Sequence, residues 1–177
     1  MALQQGLEPL IFYDSEILVL GLFPGNISLA KGEYYSDPNN AFWDVLYGVW
    51  DMNPVRQDYN DKKMFLQKHK LALWTIFAQA ERNGSTNKET RGYTLADIES
   101  LLNKYRTIKK VIFNGKCSVF EKGKHDFKKQ YSYFNKIFTN LGISHIVLNS
   151  TSGKNTHLTR EKKINEWRVA FADLRLV

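Results

Sequence analysis

Residues 17–43 read ILVLGLFPGNISLAKGEYYSDPNNAFW, and this stretch decides the fold. It opens on ILVLGL, an apolar run that is interrupted only by Gly21. An apolar run without alternation is typical of a strand that is buried on both faces of a parallel sheet. Pro24, Gly25 and Asn26 then predict a turn, in which we expect Gly25 to adopt a positive φ and let a ligand approach the backbone closely.

The second half of the stretch concentrates aromatic residues around a polar loop, PNN, at residues 38–40. The aromatic residues are Tyr34, Tyr35, Phe42 and Trp43. Apolar spacing over residues 40–50 predicts a helix that begins at this loop, with Asn39 or Asn40 as its N-cap. The unpaired N–H groups of its first turn would favour an anion or a polarised carbonyl oxygen beside the loop.

The two strings GLFPGNISL and YYSDPNNAFW together resemble the first motif of the uracil-DNA glycosylase superfamily. The resemblance is in particular to the branch that holds the mismatch-specific uracil-DNA glycosylases and the hypoxanthine-DNA (deoxyinosine) glycosylases. That branch carries a G-x-x-P-[GS] loop, an aromatic pair and then P-x-N-x-F-W, whose asparagine is Asn40 here. The resemblance implies a monofunctional DNA glycosylase that hydrolyses the N-glycosidic bond of uracil or hypoxanthine in base excision repair. It also implies that Asn40 is the catalytic residue.

A base-binding pocket is predicted around the same motif. Its predicted residues are Gly21, Phe23, Pro24, Gly25, Tyr35 and Phe42. Tyr35 and Phe42 are candidates to stack on a flipped base, a contact that contributes about 1–3 kcal/mol, although packing in the core is the alternative role of both. As an amide, Asn40 can position a water or hydrogen-bond a base edge but cannot act as a base, and helix capping is its alternative role.

Two residues depart from the pattern of this branch. Phe23 stands where the mismatch-specific enzymes carry the catalytic asparagine of G-x-N-P-G, and Thr75 follows Trp74 where the deoxyinosine branch tends to have aspartate. These departures leave open a second interpretation, a nucleic-acid-binding member of the same fold with weak or no catalysis. A flavodoxin-like binder of small molecules is a third, which the aromatic string and the basic second half disfavour.

The rest of the chain alternates predicted strands with predicted helices. Further strands are predicted at residues 70–77, 109–113 and 143–148, and helices at 61–69, 95–106, 131–141 and 159–176, with an extended edge segment at 6–13. Residues 81–94 and 122–129 are predicted loops, and residues 117–120 a short helical segment. This alternation predicts an α/β fold, a three-layer α/β/α sandwich with a central, mainly parallel four-stranded sheet that forms one domain over residues 1–177.

The loop NSTSGKN, residues 149–155, follows the last predicted strand and occupies the position of the superfamily's last motif. Since ligands bind beyond the carboxyl ends of parallel strands, we expect this loop and the first motif to share one site. The residues predicted to contact DNA are Ser150, Thr151, Ser152, Lys154 and Asn155. Ser- and Gly-rich loops after strands are common, so a purely structural turn is the alternative.

Charge and composition indicate the partner. The formal net charge is +7, with two Lys or Arg against eight Asp or Glu in residues 1–60, and 23 against 10 in residues 61–177. A basic half of this kind favours a polyanionic partner, which the family resemblance implies is DNA, although it also keeps a protein dispersed in water.

Other ligands and locations are not expected. The one cysteine, Cys117, permits no internal disulfide and shows no metal spacing with His69, His125 or His145. We therefore expect no metal and no cofactor. No apolar run reaches membrane-spanning length and no leader segment precedes the first strand, so a cytoplasmic protein that does not bind a membrane is expected. We also expect a monomer.

Overall fold

A four-stranded parallel sheet forms the centre of the molecule. The computed structural model describes residues 3–52, 55–82, 90–115 and 127–172. The sheet strands are β2 (Ile17–Gly21), β3 (Leu71–Thr75), β6 (Lys110–Asn114) and β7 (Ser144–Leu148), in the order β3-β2-β6-β7. All three pairings are parallel, which confirms the predicted central sheet.

The register of these strands aligns their carboxyl ends. Gly21 pairs with Thr75 across one pairing, and Leu20 pairs with Phe113 across the next. Asn114 pairs with Leu148 on the outer side. The loops that follow the four strands therefore leave from one edge of the sheet, which we call the carboxyl edge.

Helices cover both faces of the sheet. They are α1 (Asn26–Lys31), α2 (Phe42–Val49), α3 (Tyr59–Lys68), α4 (Ile98–Lys104), α5 (Phe127–Leu141) and α6 (Arg160–Ala170). Because side chains alternate along a strand, Leu18 and Leu20 pack with α4 and α5, whereas Ile17 and Val19 pack with α2, α3 and α6. Two separate cores result, which confirms the three-layer α/β/α architecture.

A second, antiparallel sheet was not predicted. It contains β1 (Leu3–Gln5), β4 (Phe77–Arg82) and β5 (Thr90–Leu95) in the order β1-β4-β5. The prediction of a polar loop at residues 81–94 is therefore wrong at residues 81–82, which belong to β4, and at residues 90–94, which belong to β5. The start of the helix predicted at residues 95–106 is also displaced: α4 begins at Ile98, and its N-cap Asp97 accepts a hydrogen bond from the backbone N–H of Ser100 at 3.0 Å.

The polarity of β5 explains this error. An antiparallel strand with one solvated face carries many polar residues, and in TRGYTL these resemble the composition of a loop. The strand is revealed by its antiparallel pairing with β4 and by its packing, since Tyr93 stacks on Phe77 with ring centroids 4.1 Å apart. Phe77 and Ala80 join the same core as α4 and α5, so the second sheet extends that core.

The N-terminal extended segment is confirmed in part. Leu10 bridges to the edge strand β3 through two backbone hydrogen bonds with Leu73, each 2.9 Å long. Gly6 instead donates its N–H to the carbonyl oxygen of Ala78 in the second sheet. The segment therefore pairs with both sheets rather than with one edge.

One predicted backbone conformation and two predicted helix boundaries are corrected. Gly25 has φ −67°, not a positive value, because it is the N-cap of α1, a six-residue helix that was not predicted. The helix α5 starts at Phe127, inside the loop predicted for residues 122–129. The helix α6 ends at Ala170, before the predicted end at 176, although residues 173–177 and the helical segment predicted at 117–120 lie outside the described residues.

Both α5 and α6 have a capping residue at one end. Gly142, after α5, has φ +67° as expected of a C-terminal cap. Thr159 caps α6, its hydroxyl oxygen accepting a hydrogen bond from the N–H of Lys162. Within the described part of the chain, no helix is long and apolar enough to cross a membrane.

Candidate active site

Two loops meet at the carboxyl edge: residues 36–41, which precede α2, and residues 149–155, which follow β7. The backbone N–H of Ala41 donates to the carbonyl oxygen of Thr151 at 3.0 Å. A Cβ atom added at Gly153 would lie 2.3 Å from the carbonyl oxygen of Asn39, so the two backbones approach as closely as glycine allows. The structure thus brings the first and the last predicted motifs together.

Asn40 lies at the contact between these loops. Its Oδ1 accepts a hydrogen bond from the backbone N–H of Phe42 at 3.0 Å and another from the Thr151 hydroxyl at 2.9 Å. Its Nδ2 makes no hydrogen bond to any described residue. The N-cap of α2 is Ala41 rather than Asn40, yet the Asn40 side chain still satisfies an N–H of the first turn. Part of the predicted capping role is therefore present.

Asn114 connects this pair to the end of strand β6. Its Nδ2 donates to the Thr151 hydroxyl at 2.9 Å and to the Tyr35 hydroxyl at 3.2 Å, and its Oδ1 accepts from the backbone N–H of Thr151 at 3.0 Å. Sequence reasoning missed Asn114. The available signal was a polar side chain that ends the apolar strand KVIFN at the edge where ligands bind.

The predicted stacking residues contact each other. Tyr35 lies on Phe42 with ring centroids 3.7 Å apart and planes inclined by 12°. Phe42 is 0 % exposed, with Trp43 and Trp167 against its ring in edge-on geometry. Tyr35 is partly exposed, so of the two rings it alone retains surface for a ligand. The buried Phe42 ring packs against one face of the Tyr35 ring.

The backbone of Tyr35 is held in an uncommon conformation. Its φ of 55° lies in the left-handed region, which is unfavourable for a residue with a bulky side chain. A Cβ atom at Gly21 would lie 3.1 Å from the Tyr35 hydroxyl, so this hydroxyl lies over the end of β2. Strain of this kind persists only where surrounding contacts impose it, and it is concentrated at functional sites.

Tyr34 and Trp43 hold the aromatic loop in place. The Tyr34 hydroxyl donates to the carbonyl oxygens of Leu7 and Glu8, and the indole N–H of Trp43 donates to the carbonyl oxygen of Tyr34. Burial raises the pKa of Tyr34 far above its ordinary value, and the neighbouring Tyr35 adds to the effect. Tyr34 is thus a neutral anchor.

The loop after β2 presents its residues differently. Phe23 is 9 % exposed and belongs to the core that also contains Leu22 and Phe77. At Gly25, an added Cβ atom would meet no other atom within 4 Å, so this position faces open space. Contact of the residues Phe23, Pro24 and Gly25 with a base stays a prediction.

Hydrogen bonds within the loop 149–155 use most of its polar groups. Ser150 Oγ accepts from the N–H of Ser152, and Ser152 Oγ accepts from the N–H of Lys154. The Asn155 amide donates to the carbonyl oxygen of Ser150 at 3.0 Å. The Lys154 residue is exposed, which leaves its ammonium group available to phosphate.

A buried lysine fixes the far end of this loop. Lys163 of α6 is 4 % exposed, and its Nζ donates to the carbonyl oxygen of Asn155 at 2.8 Å. Burial lowers the pKa of Lys163 from its ordinary value, an effect that Glu166 opposes. The loop is therefore held at both ends, by Thr151 and by Lys163.

Thr75, the other departure from the predicted pattern, lies at the carboxyl end of β3 beside Gly21. The residue is buried, and its hydroxyl donates to the carbonyl oxygen of Phe77 at 2.9 Å. Among the described residues, no group of three or more His, Cys, Asp and Glu could hold a metal ion. Cys117 and His125 lie outside the described residues, and the expected absence of metal and cofactor stays a prediction.

Comparison with known proteins gives consistent matches over almost the whole chain. The family model of the Uracil DNA glycosylase superfamily matches residues 10–175. A protein named hypoxanthine DNA glycosylase from Methanosarcina barkeri is 28% identical over 168 residues, which cover 95% of this chain and 98% of that protein. A G/U mismatch-specific uracil DNA glycosylase from Schizosaccharomyces pombe is 26% identical over 186 residues, covering 97% of this chain and 54% of that protein.

A solved structure shows the same fold. The solution NMR structure of a candidate uracil DNA glycosylase from Methanosarcina acetivorans matches with a TM-score of 0.78. The match covers 98% of this chain and 99% of that one, at 24% sequence identity. The shared architecture includes the central sheet whose carboxyl edge holds the two loops.

Proposed function

The chain belongs to the uracil DNA glycosylase superfamily, and from this premise we propose that it is a monofunctional DNA glycosylase that excises a deaminated base, uracil or hypoxanthine. Two relatives support the proposal, because one is named hypoxanthine DNA glycosylase and the other G/U mismatch-specific uracil DNA glycosylase. The reaction is hydrolysis of the N-glycosidic bond, which releases the free base and leaves an abasic site in an intact strand.

One observation supports the proposal best. The Asn40 amide and the Tyr35 ring lie at the carboxyl edge of the parallel sheet, and Asn114 and Thr151 join them in one hydrogen-bonded group. A partly exposed aromatic ring beside an amide can stack on a planar base and hydrogen-bond its edge at the same time. A flipped base is the ligand that needs both contacts.

The energetic demands of base flipping are modest. Unstacking and unpairing cost a few kcal/mol, and least at a mismatched or damaged pair. Stacking on Tyr35 would offset about 1–3 kcal/mol of this cost. Phosphate contacts from the basic part of the chain, with the exposed Lys154 as a candidate, would supply further binding.

Bond cleavage requires stabilisation of charge. As the glycosidic bond breaks, positive charge grows on the sugar and negative charge on the departing base. Preorganised N–H donors at the base are the kind of group that stabilises such an anion. Asn40 has two possible parts in this step, to hydrogen-bond the base edge or to position the attacking water.

A strand-cleavage gel assay tests the proposal. Duplex and single-stranded oligonucleotides with a single uracil, hypoxanthine or xanthine are incubated with the protein and then treated with alkali. We expect cleavage after alkali treatment for uracil or hypoxanthine and no cleavage without it. Intact strands for all three bases would overturn the proposal.

The second candidate is a DNA-binding member of the fold without catalysis. It is favoured by the buried Thr75, whose hydroxyl donates to the carbonyl oxygen of Phe77, and by Phe23, which packs in the core. Neither residue matches the side chain that the family resemblance implies at its position, asparagine in place of Phe23 and aspartate in place of Thr75. Tight binding of uracil- or hypoxanthine-containing DNA with no alkali-labile site would support this candidate.

A further inference from the structure

We propose that Thr151 and Asn114 are positioning residues that fix the orientation of the Asn40 amide, so that its NH₂ group faces the flipped base. The inference rests on the proposed function and specifies the part that Asn40 plays in it. It also gives Thr151 a different role from the phosphate contact that its sequence context predicts.

The orientation of the Asn40 amide follows from its partners. A backbone N–H can only donate, so the atom 3.0 Å from the Phe42 nitrogen must be the amide oxygen of Asn40. The same oxygen lies 2.9 Å from the Thr151 hydroxyl. The carbonyl end of the amide therefore points toward α2 and Thr151, and the NH₂ end points away from them.

The Thr151 hydroxyl is itself oriented by Asn114. The backbone N–H of Thr151 donates to Asn114 Oδ1 at 3.0 Å, which leaves Asn114 Nδ2 to donate to the Thr151 hydroxyl at 2.9 Å. Because this hydroxyl accepts from Asn114, its own proton is directed to Asn40. Each bond in the series thus has one direction, from the backbone of Thr151 through Asn114 to Asn40.

This direction decides between the two roles of Asn40. A carbonyl oxygen has two lone pairs, and on Asn40 both are occupied, by Phe42 N–H and by Thr151 O–H. No lone pair is left to accept a proton from an attacking water. The two N–H groups of Nδ2 make no bond to any described residue, so they are available to an acceptor on the departing base, where negative charge develops.

Burial makes the arrangement rigid and excludes phosphate. Thr151 is 0 % exposed, and each of its polar groups has a partner within the site. A hydroxyl in this position cannot reach a phosphate at the surface. Hydrogen bonds to a group that is shielded from water, as Thr151 is, are stronger than in water, and donors that are already oriented need no reorganisation during the reaction.

Thr151→Val and Thr151→Ser test the positioning role, because valine has the shape of threonine without the hydroxyl and serine keeps the hydroxyl. We expect Thr151→Val to lower the single-turnover rate about tenfold with DNA affinity unchanged, the scale of losing one hydrogen bond, and Thr151→Ser to stay near the wild-type rate. Equal rates for all three proteins would overturn the inference.

A leaving-group comparison excludes a merely structural effect. 5-Fluorouracil and 8-azahypoxanthine leave as more stable anions than uracil and hypoxanthine, so they need less help from a donor. Thr151→Val should therefore slow excision of the natural base more than excision of its analogue. An equal loss for both members of the pair would contradict the role of Thr151 in orienting a donor.

Asn40→Asp gives an independent test that does not depend on the folding of the Thr151 variants. Aspartate keeps an acceptor for Phe42 N–H and Thr151 O–H but has no N–H to donate. We expect a loss of rate as large as that of Asn40→Ala, whereas a water-positioning residue would keep or raise the rate as aspartate. If wild type excises none of these bases, the proposed function itself fails; if wild type is active and Asn40→Asp is equally fast, only the inference fails.

Discussion

At the scale of single residues, Asn40 has both a structural and a chemical part. Its Oδ1 holds the first turn of α2 and the loop after β7, while its NH₂ group has no partner among the described residues. Removal of the side chain therefore takes away two hydrogen bonds to the protein as well as the proposed donor to the base.

Asn40→Ala should reduce the single-turnover excision rate by about 10²–10³, the usual cost of losing one donor to a developing anion, and should change DNA affinity much less. The measurement is a single-turnover time course together with a binding titration on the same oligonucleotide. Asn39→Ala is the matched control, because Asn39 is exposed and, among the described residues, its side chain hydrogen-bonds to Asp37 alone. If Asn40→Ala excises as fast as wild type, Asn40 is not the catalytic residue.

The motif could locate these residues but not their contacts. The spacing of P-x-N-x-F-W led to Asn40 and Phe42, since a motif records which residue types occur together. It gave no sign that Phe42 is fully buried beneath Tyr35, because stacking between two aromatic residues depends on the path of the backbone between them. Likewise, a Ser- and Thr-rich loop has the same composition whether Thr151 faces solvent or the interior.

At the scale of elements, the close contact between the two loops is the feature most sensitive to substitution. In Gly153→Ala the new Cβ atom would lie 2.3 Å from the carbonyl oxygen of Asn39, so the loops must separate. Overpacking of this kind costs about 1–3 kcal/mol, and separation would also move Asn40. We expect a lower Tm and a lower excision rate.

The control for this prediction is Gly92→Ala in strand β5, where the added Cβ would lie 3.4 Å from the Glu81 side chain, close to ordinary contact. Thermal melting and the excision assay are run on both variants. A Gly153→Ala protein with the Tm and rate of wild type would mean that the loops do not need this close approach.

The pH dependence of stability depends on a histidine at the end of α3. His69 lies against Trp50 and Phe65, with ring centroids 4.1 and 4.4 Å away, and its Nε2 makes no hydrogen bond to a described residue. Burial, aided by Lys68, lowers the pKa of His69 from 6.5 to about 4. The folded state thus binds this proton less readily than the unfolded state.

The contribution of His69 to the free energy of unfolding should therefore be fully present above pH 6.5. It should fall as the pH decreases from 6.5 to 4. The contribution of His69 to this slope is at most about 1.4 kcal/mol per pH unit. Urea unfolding across this interval should give a flatter dependence for His69→Leu than for wild type, while His157→Gln, at an exposed position, should match wild type. Identical slopes for wild type and His69→Leu would contradict the assignment.

The sequence predicted the parallel strands better than the antiparallel ones for a physical reason. Strands β2, β3 and β6 are buried on both faces and consist largely of apolar runs. Short apolar runs of this kind are typical of the strands of a parallel sheet. Strand β5 is largely polar, and α1 has only six residues, so neither has a periodicity long enough to detect. These elements form because they pack against a sheet that is already specified.

At the scale of the whole molecule, charge is distributed unevenly along the chain. Residues 61–177 contain 23 Lys or Arg against 10 Asp or Glu, and this half includes the loop 149–155. Protein groups that neutralise phosphates release counterions, so affinity for DNA depends on salt in proportion to the number of contacts.

We expect the logarithm of DNA affinity to fall linearly with the logarithm of salt concentration, with a slope of about −0.9 for each phosphate contacted. Several contacts should give a steep slope, and Lys154→Gln should reduce its magnitude by about one. Fluorescence anisotropy at four or more salt concentrations measures both slopes. A nearly flat dependence would show that phosphate contacts are not the main source of binding.

Hydrolysis of an N-glycosidic bond is the activity that we propose for the chain. Intact-mass spectrometry of a hypoxanthine- or uracil-containing duplex tests it most directly, because it detects the free base and the remaining strand in one sample. We expect release of the free base together with a full-length strand that carries an abasic site. Recovery of both strands with unchanged mass after complete binding, or of strands cleaved without alkali, would contradict it.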